Sequence, residues 1–182
     1  EYTLTTSGLT DGCAFEITFI QSFCATLEDG DQIIVTYSAT LNDDAVPNHE
    51  YKNETWLKYG ENNETNHDTT KTKTFELPVF KYTTKTSGKT GLAGAIFTLS
   101  KNTEGTQLIS LVKTSAENAA EDTYRVAKNG ETTGAVTTVT TPASGKFTIK
   151  GLDADTYYLT ETQQPAGYNK LKDPVKVVIK ED

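Results

Sequence analysis

The sequence predicts an all-β protein built from two β-sandwich domains in tandem. Thr is abundant, and Val, Ile, Tyr and Phe recur in short alternating runs, which is the composition of β-strands. Turn signals rich in Gly, Pro and Asp separate these runs. Short strands at this spacing are typical of sandwiches and argue against parallel βαβ units.

Eight runs have the strand pattern, because each shows apolar or β-branched residues in alternation or in a short block. Turn signals such as EDGD (28–31), PASG (142–145) and QPAGY (164–168) separate them. One segment, SAENAAED (115–122), is predicted to form a helical turn or two on a connection. In chain order, the predicted strands are AFEITFI (14–20), DQIIVTYSATL (31–41), ETWLKYG (54–60), FELPVFKY (75–82), AIFTLSK (95–101), GKFTIKG (145–151), TYYLTET (156–162) and PVKVVIK (174–180).

A polar segment divides the chain into two strand-rich halves. Residues 61–74, ENNETNHDTTKTKT, lack an apolar period and are predicted to be a linker. We therefore predict an N-terminal domain at 1–73 and a C-terminal domain at 74–182. The first is short for a sandwich of about 100 residues, so we expect it to lack its own beginning. The chain starts at Glu1 without Met and stops at Asp182 just after an apolar run, so we expect a piece of a longer protein.

Charge and cysteine content narrow the range of partners and cofactors. The formal net charge of -8 and the lack of a basic stripe argue against nucleic acid, and no run approaches the length of a membrane span.

Cys13 and Cys24 could form one disulfide or be two buried thiols; the spacing does not decide, and burial is slightly favoured. Without a Cys–His cluster, zinc is not expected. Calcium could bind LNDD (41–44) or EDGD (28–31), although turn formation explains both as well.

Two charged residues fall on strand faces that otherwise hold core-type residues. Lys81 shares a face with three apolar residues of FELPVFKY (75–82), and Glu161 shares one with Tyr157 and Leu159. A buried charge without a partner is costly, so burial favours the neutral form of each group. The simpler explanation is a salt bridge, or two side chains that reach solvent at strand ends. The alternative is a neutral amine beside a protonated acid, which suits nucleophilic attack on a carbonyl.

The string YYLTETQQPAGYNKL (157–171) resembles the E-box of the sortase-assembled pilins of Gram-positive bacteria. The blocks KTGLAGAIFTLSK (89–101) and SGKFTIKGLDADTYYL (144–159) resemble the collagen-adhesin B-type (CnaB-like) domain that ends such pilins. The resemblance covers essentially all of 75–182 and implies immunoglobulin-like sandwiches. The family pattern, Tyr-x-Leu-x-Glu-Thr and then Pro-x-Gly-Tyr, is met here by Tyr157, Leu159, Glu161, Thr162, Pro165, Gly167 and Tyr168.

The resemblance implies an intramolecular isopeptide bond. In such domains a Lys of the first strand joins the side chain of an Asn or Asp in the last strand, and the E-box Glu assists as a proton shuttle. The motif places Lys81 as the nucleophile and Glu161 as the acid/base. The reaction runs once on the protein itself, so the resemblance does not imply an enzyme with turnover.

The same resemblance places the acceptor on a strand after the one similar to PVKVVIK (174–180). Asn169 and Asp173 fall in the loop after the E-box and Asp182 is terminal, so none of the three is expected to be the acceptor. We expect an acceptor Asn beyond residue 182, and a second domain that lacks its last strand.

The N-terminal part resembles the later strands of the preceding pilin domain, through SGLTDGCAFEITF (7–19) and GDQIIVTYSATLNDDAVPN (30–48). Asn53 matches the acceptor position of that domain, so its Lys and acid partners would lie before Glu1. An Asn that simply starts a strand after a turn explains Asn53 equally well.

The resemblance implies a structural shaft subunit of a covalently polymerised, cell-wall-anchored pilus, hence an extracellular location. Its partners would be other copies of the same pilin and minor pilins, joined by sortase, with a host surface as a further partner. The alternative is the stalk of a cell-wall-anchored surface adhesin, because the same E-box occurs there. A carbohydrate-active enzyme would need paired catalytic carboxylates in a cleft, for which Glu161 alone is a poor candidate.

Overall fold

The computed structural model describes residues 1–42, 44–61, 63–85 and 88–181. In these ranges it forms seventeen strands and one four-residue helix, α1 (Gln21–Cys24), so the all-β prediction is confirmed. Strands β1 to β9 span Tyr2–Thr5, Glu16–Phe19, Tyr51–Thr55, Lys58–Tyr59, Asn63–Glu64, Asp68–Thr72, Phe75–Phe80, Tyr82–Thr83 and Thr90–Gly91. Strands β10 to β17 span Ile96–Ser100, Leu111–Lys113, Asp122–Val126, Ala135–Val136, Val139–Thr140, Lys146–Leu152, Thr156–Gln163 and Val175–Val178.

The chain divides into two compact units, residues 1–40 and the residues from Leu41 onward. In the first unit, β1 pairs antiparallel with β2, and α1 follows directly. Across the described ranges, every buried apolar side chain lies at or after Phe75. The predicted limit between residues 73 and 74 coincides with the start of this core, and as a domain boundary it stays a prediction.

The predicted strand at 31–41 is wrong. Residues 31–42 form no strand, and Ile33, Ile34 and Val35 are exposed there. A strand needs a neighbour that satisfies its backbone groups, and in the first unit β1 and β2 pair with each other. β-branched composition without a partner strand is therefore not enough.

The segment predicted to be a linker forms strands instead. β6 pairs with β3, and β5 pairs with β4, so the predicted strand at 54–60 is divided between β3 and β4. Every residue of β6 is exposed. Backbone hydrogen bonds and the β-branched Thr residues therefore form this pair without the help of an apolar face.

The helical prediction at 115–122 is also wrong. The segment makes a turn, in which Ala119 N–H donates to Ala116 O at 3.1 Å. It has no apolar stripe to hold a helix against the core, and short helices are marginal without such packing. In the described part of the chain, no helix is long and apolar enough to cross a membrane.

Two sheets enclose the core of the second unit. Their strand orders are β14-β10-β16-β17 and β13-β11-β12-β15-β7, with antiparallel neighbours except for the parallel pair β12 and β15. Side chains of both sheets meet in one core, where the Phe97 and Phe147 rings lie 5.9 Å apart. The buried cluster contains Ala95, Phe97, Leu99, Leu111, Tyr124, Val139, Phe147, Ile149, Leu152, Tyr157 and Leu159.

The turn before β15 lies against the end of β7. Lys81 N–H donates to Gly145 O at 2.8 Å, and Leu92 N–H donates to Lys81 O at 2.9 Å. Gly145 has a φ of 72°, and a Cβ at this position would lie 2.2 Å from Lys81 O. Glycine is therefore required both by the backbone conformation and by the close approach. These contacts fix where the Lys81 side chain begins.

Candidate functional site

Glu161 lies on the buried face of β16. Tyr157, Leu159 and Glu161 are 1%, 6% and 2% exposed, and the residues between them are half-buried. In the register of β10 and β16, Glu161 is opposite Phe97, which is also buried. The carboxyl group thus stands on the core face that the period-2 alternation predicts.

Lys81 follows β7 directly and continues its alternation. Leu77 and Val79, which share its phase, pack against the core cluster. The Lys81 side chain is 14% exposed, so its stem is covered and only a small part of it meets solvent. The main-chain bonds to Gly145 and Leu92 hold the residue in place.

The structure brings Lys81 and Glu161 into contact. Lys81 Nζ lies 2.8 Å from Glu161 Oε1, and the Glu161 side chain is 0% exposed. The other oxygen, Oε2, accepts a hydrogen bond of 2.7 Å from Leu171 N–H. Among the described residues Oε1 accepts no hydrogen bond, because the Lys81 contact has the distance of an ion pair without hydrogen-bond angles. The chemical roles of both residues stay predictions.

This pair can be an ion pair or a neutral amine beside a carboxylic acid. Removing two charges from water is costly, and a buried ion pair offsets the cost only with good geometry and further hydrogen bonds. Oε1 lacks such a bond within the described chain, so the ion pair is incompletely stabilised. The neutral form places a nucleophilic nitrogen next to a proton donor, which is what attack on a carbonyl needs.

Asn53, the predicted acceptor of the first domain, lies at the surface, and so do the two loop residues that were not expected to be acceptors. Asn53 is exposed in β3, opposite Thr70 of β6. Asn169 and Asp173 are exposed in the loop between β16 and β17. Asp182 lies outside the described residues. The role of Asn53 as an acceptor stays a prediction.

The proposed disulfide is absent in the part of the chain that the structure describes. Cys13 and Cys24 are both thiols; Cys13 is half-buried and Cys24 is exposed, so the expected burial of Cys24 is wrong. Cys13 precedes β2 and Cys24 ends α1, which follows β2. The strand β2 therefore lies between them in the chain.

The acidic turns show a structural use of their carboxylates. In EDGD, Asp31 Oδ2 accepts a 2.8 Å hydrogen bond from Glu28 N–H, and Asp31 N–H donates to Glu28 O at 3.1 Å. In LNDD, Asp43 lies outside the described residues. Within the described ranges, no group of three or more His, Cys, Asp or Glu side chains could hold a metal ion. Calcium binding stays a prediction.

Two features of the site were not predicted. The first is the Leu171 N–H, which acts through the main chain and therefore leaves no side-chain signal in the sequence. The second is the buried Tyr157 hydroxyl, which donates to Asp153 O at 3.2 Å and accepts from Asp153 N–H at 3.1 Å. The spacing of Asp153 and Tyr157 in LDADTYY (152–158) is the sequence signal that could have indicated these two hydrogen bonds, which close the turn between β15 and β16.

Lys101 also contacts the turn between β15 and β16. Its Nζ donates to the Tyr157 hydroxyl at 3.2 Å and forms an ion pair with Asp155. Burial lowers the pKa of Lys101, but the hydrogen bonds to Asp155 and Tyr157 together with the attraction of their charges raise the pKa above its ordinary value. The network fixes the beginning of β16, the strand that holds Glu161 near its other end.

The family of the chain follows from its larger unit. Residues 79–182, more than half of the sequence, match the family model described as SpaA, prealbumin-like fold domain. The chain belongs to this SpaA family. The SpaA domain includes Lys81, Glu161 and Leu171, so the whole contact described above lies within it. No curated protein sequence matches the chain.

The solved structures with similarity to this chain include pilins of streptococci. The 35 kDa C-terminal fragment of the major pilin GBS80 of Streptococcus agalactiae is 22% identical, with a TM-score of 0.53 over 78% of this chain and 49% of that one. The group B streptococcus pilus 2b backbone protein is 26% identical, with a TM-score of 0.45 over 78% and 43%. The streptococcal ancillary pilin is 29% identical, with a TM-score of 0.37 over 59% and 26%. The chain thus spans less than half of the length of each of these three proteins. The similarity to GBS80 supports the fold.

Proposed function

We propose that the chain is a structural shaft subunit of a covalently polymerised pilus, in which Lys81 forms an intramolecular isopeptide bond. The observation that supports the isopeptide bond most directly is the 2.8 Å contact between Lys81 Nζ and Glu161 Oε1, because the Glu161 side chain is 0% exposed. The resemblance of 157–171 to the E-box supports the same chemistry. The major pilin GBS80 shares the fold and supports the choice of a pilus shaft.

The reaction uses a neutral Lys81 amine and a protonated Glu161. Lys81 Nζ attacks the side-chain carbonyl carbon of an Asn while the Glu161 proton polarises the carbonyl oxygen. The new C–N bond to Lys81 forms, the bond to the Asn side-chain nitrogen breaks, and ammonia leaves. Glu161 passes protons between the two nitrogens and ends as it began. We expect the Asn on a strand beyond residue 182.

The cross-link would serve a mechanical role. Lys81 follows β7, which is an edge strand of its sheet. A covalent bond from this edge to another strand prevents a pulling force from separating them. It also limits the unfolded ensemble, as a disulfide does; for a closed loop of about 100 residues that effect is on the order of 4–5 kcal/mol.

Intact-mass measurement of the full-length protein tests the cross-link. We expect the natural protein to be lighter than its sequence by one ammonia per bond. Lys81→Ala should show no loss of ammonia from this domain. Glu161→Ala should show the mass loss far more slowly or not at all. Lys146→Ala is the matched control, because this neighbouring lysine forms an exposed ion pair with Glu121 and should not affect the mass loss. An unshifted mass of the natural protein would reject the bond.

Polymerisation and location need their own test. We expect sortase to join copies of the subunit, and minor pilins, into a polymer anchored to the cell wall outside the bacterium. Cell-wall extracts probed with an antibody to this chain should then show a detergent-resistant ladder, which disappears when the sortase gene is deleted. A single band at the monomer mass would contradict a shaft subunit.

A further inference from the structure

The two oxygens of Glu161 face different groups. Oε2 accepts the Leu171 N–H at 2.7 Å, whereas Oε1 faces Lys81 Nζ at 2.8 Å and, within the described residues, accepts no hydrogen bond. The side chain is 0% exposed, so water does not make the two oxygens equivalent. Within the described residues, the Leu171 N–H thus holds the carboxyl group in one orientation, with Oε1 turned toward the amine.

An N–H donor distinguishes the two oxygens of a carboxylic acid. The N–H donates to an oxygen lone pair, and the carbonyl oxygen of the acid accepts more strongly than the hydroxyl oxygen. Donation to the hydroxyl oxygen would also bring the hydroxyl hydrogen close to the N–H. With Oε2 occupied by Leu171 N–H, the acid proton belongs on Oε1. In the carboxylate form the same N–H stabilises the charge.

We propose that the main-chain N–H of Leu171 is a positioning group that directs the exchangeable proton of Glu161 to Oε1, where it faces Lys81. This inference rests on the proposed function for its chemical consequence, while the hydrogen bond itself can be tested separately. Leu171 does not touch the reacting atoms and acts through Glu161. Without the N–H, the acid could rotate and present its proton away from the amine.

The proton transfers then have a fixed route. Oε1–H supplies the proton that the leaving Asn nitrogen takes as its C–N bond breaks. Lys81 Nζ, which becomes positively charged when its bond to the carbonyl carbon forms, returns a proton to Oε1. The balance is one amine and one primary amide giving one secondary amide and one ammonia, with Glu161 unchanged. Oε2 keeps its bond to Leu171 throughout.

The loop after β16 places this N–H. Tyr168 N–H donates to Pro165 O at 3.1 Å, which closes a turn, and Lys85 Nζ lies 5.0 Å from the centre of the Tyr168 ring. The chain then returns so that Leu171 N–H reaches Glu161, ten residues earlier. The Leu171 side chain is 41% exposed, so the site uses the main chain of this residue and has little need of its side chain.

The test compares Leu171→Pro, which removes the N–H, with Leu171→Ala, which keeps it. In the full-length protein, the rate of ammonia loss is followed by intact mass. We expect Leu171→Ala to react at the natural rate and Leu171→Pro to react about tenfold more slowly or worse, as for a lost hydrogen bond to an ionisable group. Equal rates for the two variants would overturn the inference.

Two further measurements keep the inference testable if Leu171→Pro does not fold. The α-hydroxy acid analogue of leucine at position 171 replaces the N–H by oxygen and leaves the side chain intact; it should slow the reaction to the same extent. In the natural chain, NMR should detect a through-bond coupling between the Leu171 amide nitrogen and the Glu161 carboxyl carbon. A missing coupling overturns the hydrogen bond, whereas an unshifted mass of the natural protein, with the coupling present, rejects only the cross-link.

Discussion

Phe97 of β10 lies directly opposite Glu161 of β16, and both are buried. The pairing depends on a register shift between Ile96 and Phe97: Ile96 is opposite Gln163, and the next residue is already opposite Glu161. The two side chains therefore lie on the same buried face of this sheet, in neighbouring strands. The Phe97 ring belongs to the buried core cluster, so it forms part of the apolar surroundings of this face.

We predict that Phe97→Ala lowers the free energy of unfolding by about 3–5 kcal/mol, as expected for a large core side chain replaced by a small one. Urea denaturation followed by circular dichroism measures the change. Phe97→Leu is the matched control and should cost about half as much or less, since it leaves a smaller cavity. A loss below about 1 kcal/mol for Phe97→Ala would show that the ring does not cover the core.

Replacing one member of the Lys81–Glu161 pair should be worse than replacing both. Lys81→Met leaves a carboxyl group with 0% exposure and no cation, which costs about 3–5 kcal/mol where the group stays charged. The double variant Lys81→Met/Glu161→Leu removes both charges and should recover most of that loss. Neither variant can form the cross-link, so their difference in urea midpoint isolates the buried charge. A double variant no more stable than Lys81→Met would show that Lys81→Met leaves no buried negative charge at Glu161.

The position of Glu161 could be predicted from the sequence because alternation has a period of two and needs no knowledge of the partner strand. The groups that surround Glu161 could not be predicted from the sequence. That Phe97 is its neighbour depends on the register shift at Ile96, and that Leu171 N–H is its donor depends on how a loop returns. Both are settled by tertiary pairing, which composition and spacing do not encode.

The incorrect predictions have the same origin. Residues 31–41 have the alternation and the β-branched content of a strand, yet form none, whereas the exposed and polar β6 forms one. The difference is the partner, since β6 has β3 beside it. Strand propensity describes how well a residue fits a sheet that already exists, so it fails where the pairing decides.

Gly145→Ala should destabilise the protein more than an equivalent change elsewhere. Both Gly145 and Gly130 have positive φ, 72° and 78°, but only at Gly145 would a Cβ meet backbone, at 2.2 Å from Lys81 O. Gly130→Ala has open space and should cost about 1 kcal/mol for its backbone conformation alone. We expect a clearly larger fall in thermal midpoint for Gly145→Ala. Equal midpoints would mean that the turn before β15 can move away from Lys81 at little cost.

The Arg125–Glu131 pair predicts a pH dependence of stability. Arg125 Nη1 and Nη2 each donate to one Glu131 oxygen at 2.7 Å, and Lys128 N–H donates to Oε2 at 2.8 Å. The Arg125 hydrogen bonds, followed by that from Lys128, lower the pKa of Glu131 from 4.5 to about 2. Since the pKa is lower in the folded state, the stabilisation is fully present above about pH 4.5 and is lost as pH falls toward 2.

Thermal melts of the natural protein and of Glu131→Gln between pH 2 and pH 7 test this dependence. The natural protein should have the higher midpoint near neutral pH, because the variant cannot offer two charged oxygens to Arg125. The gap should narrow as pH falls below about 4.5 and close near pH 2. Glu117→Gln, on an exposed turn, should follow the natural protein throughout. A gap between the natural protein and Glu131→Gln that is the same at pH 2 and pH 7 would show that the pair does not couple protonation to folding.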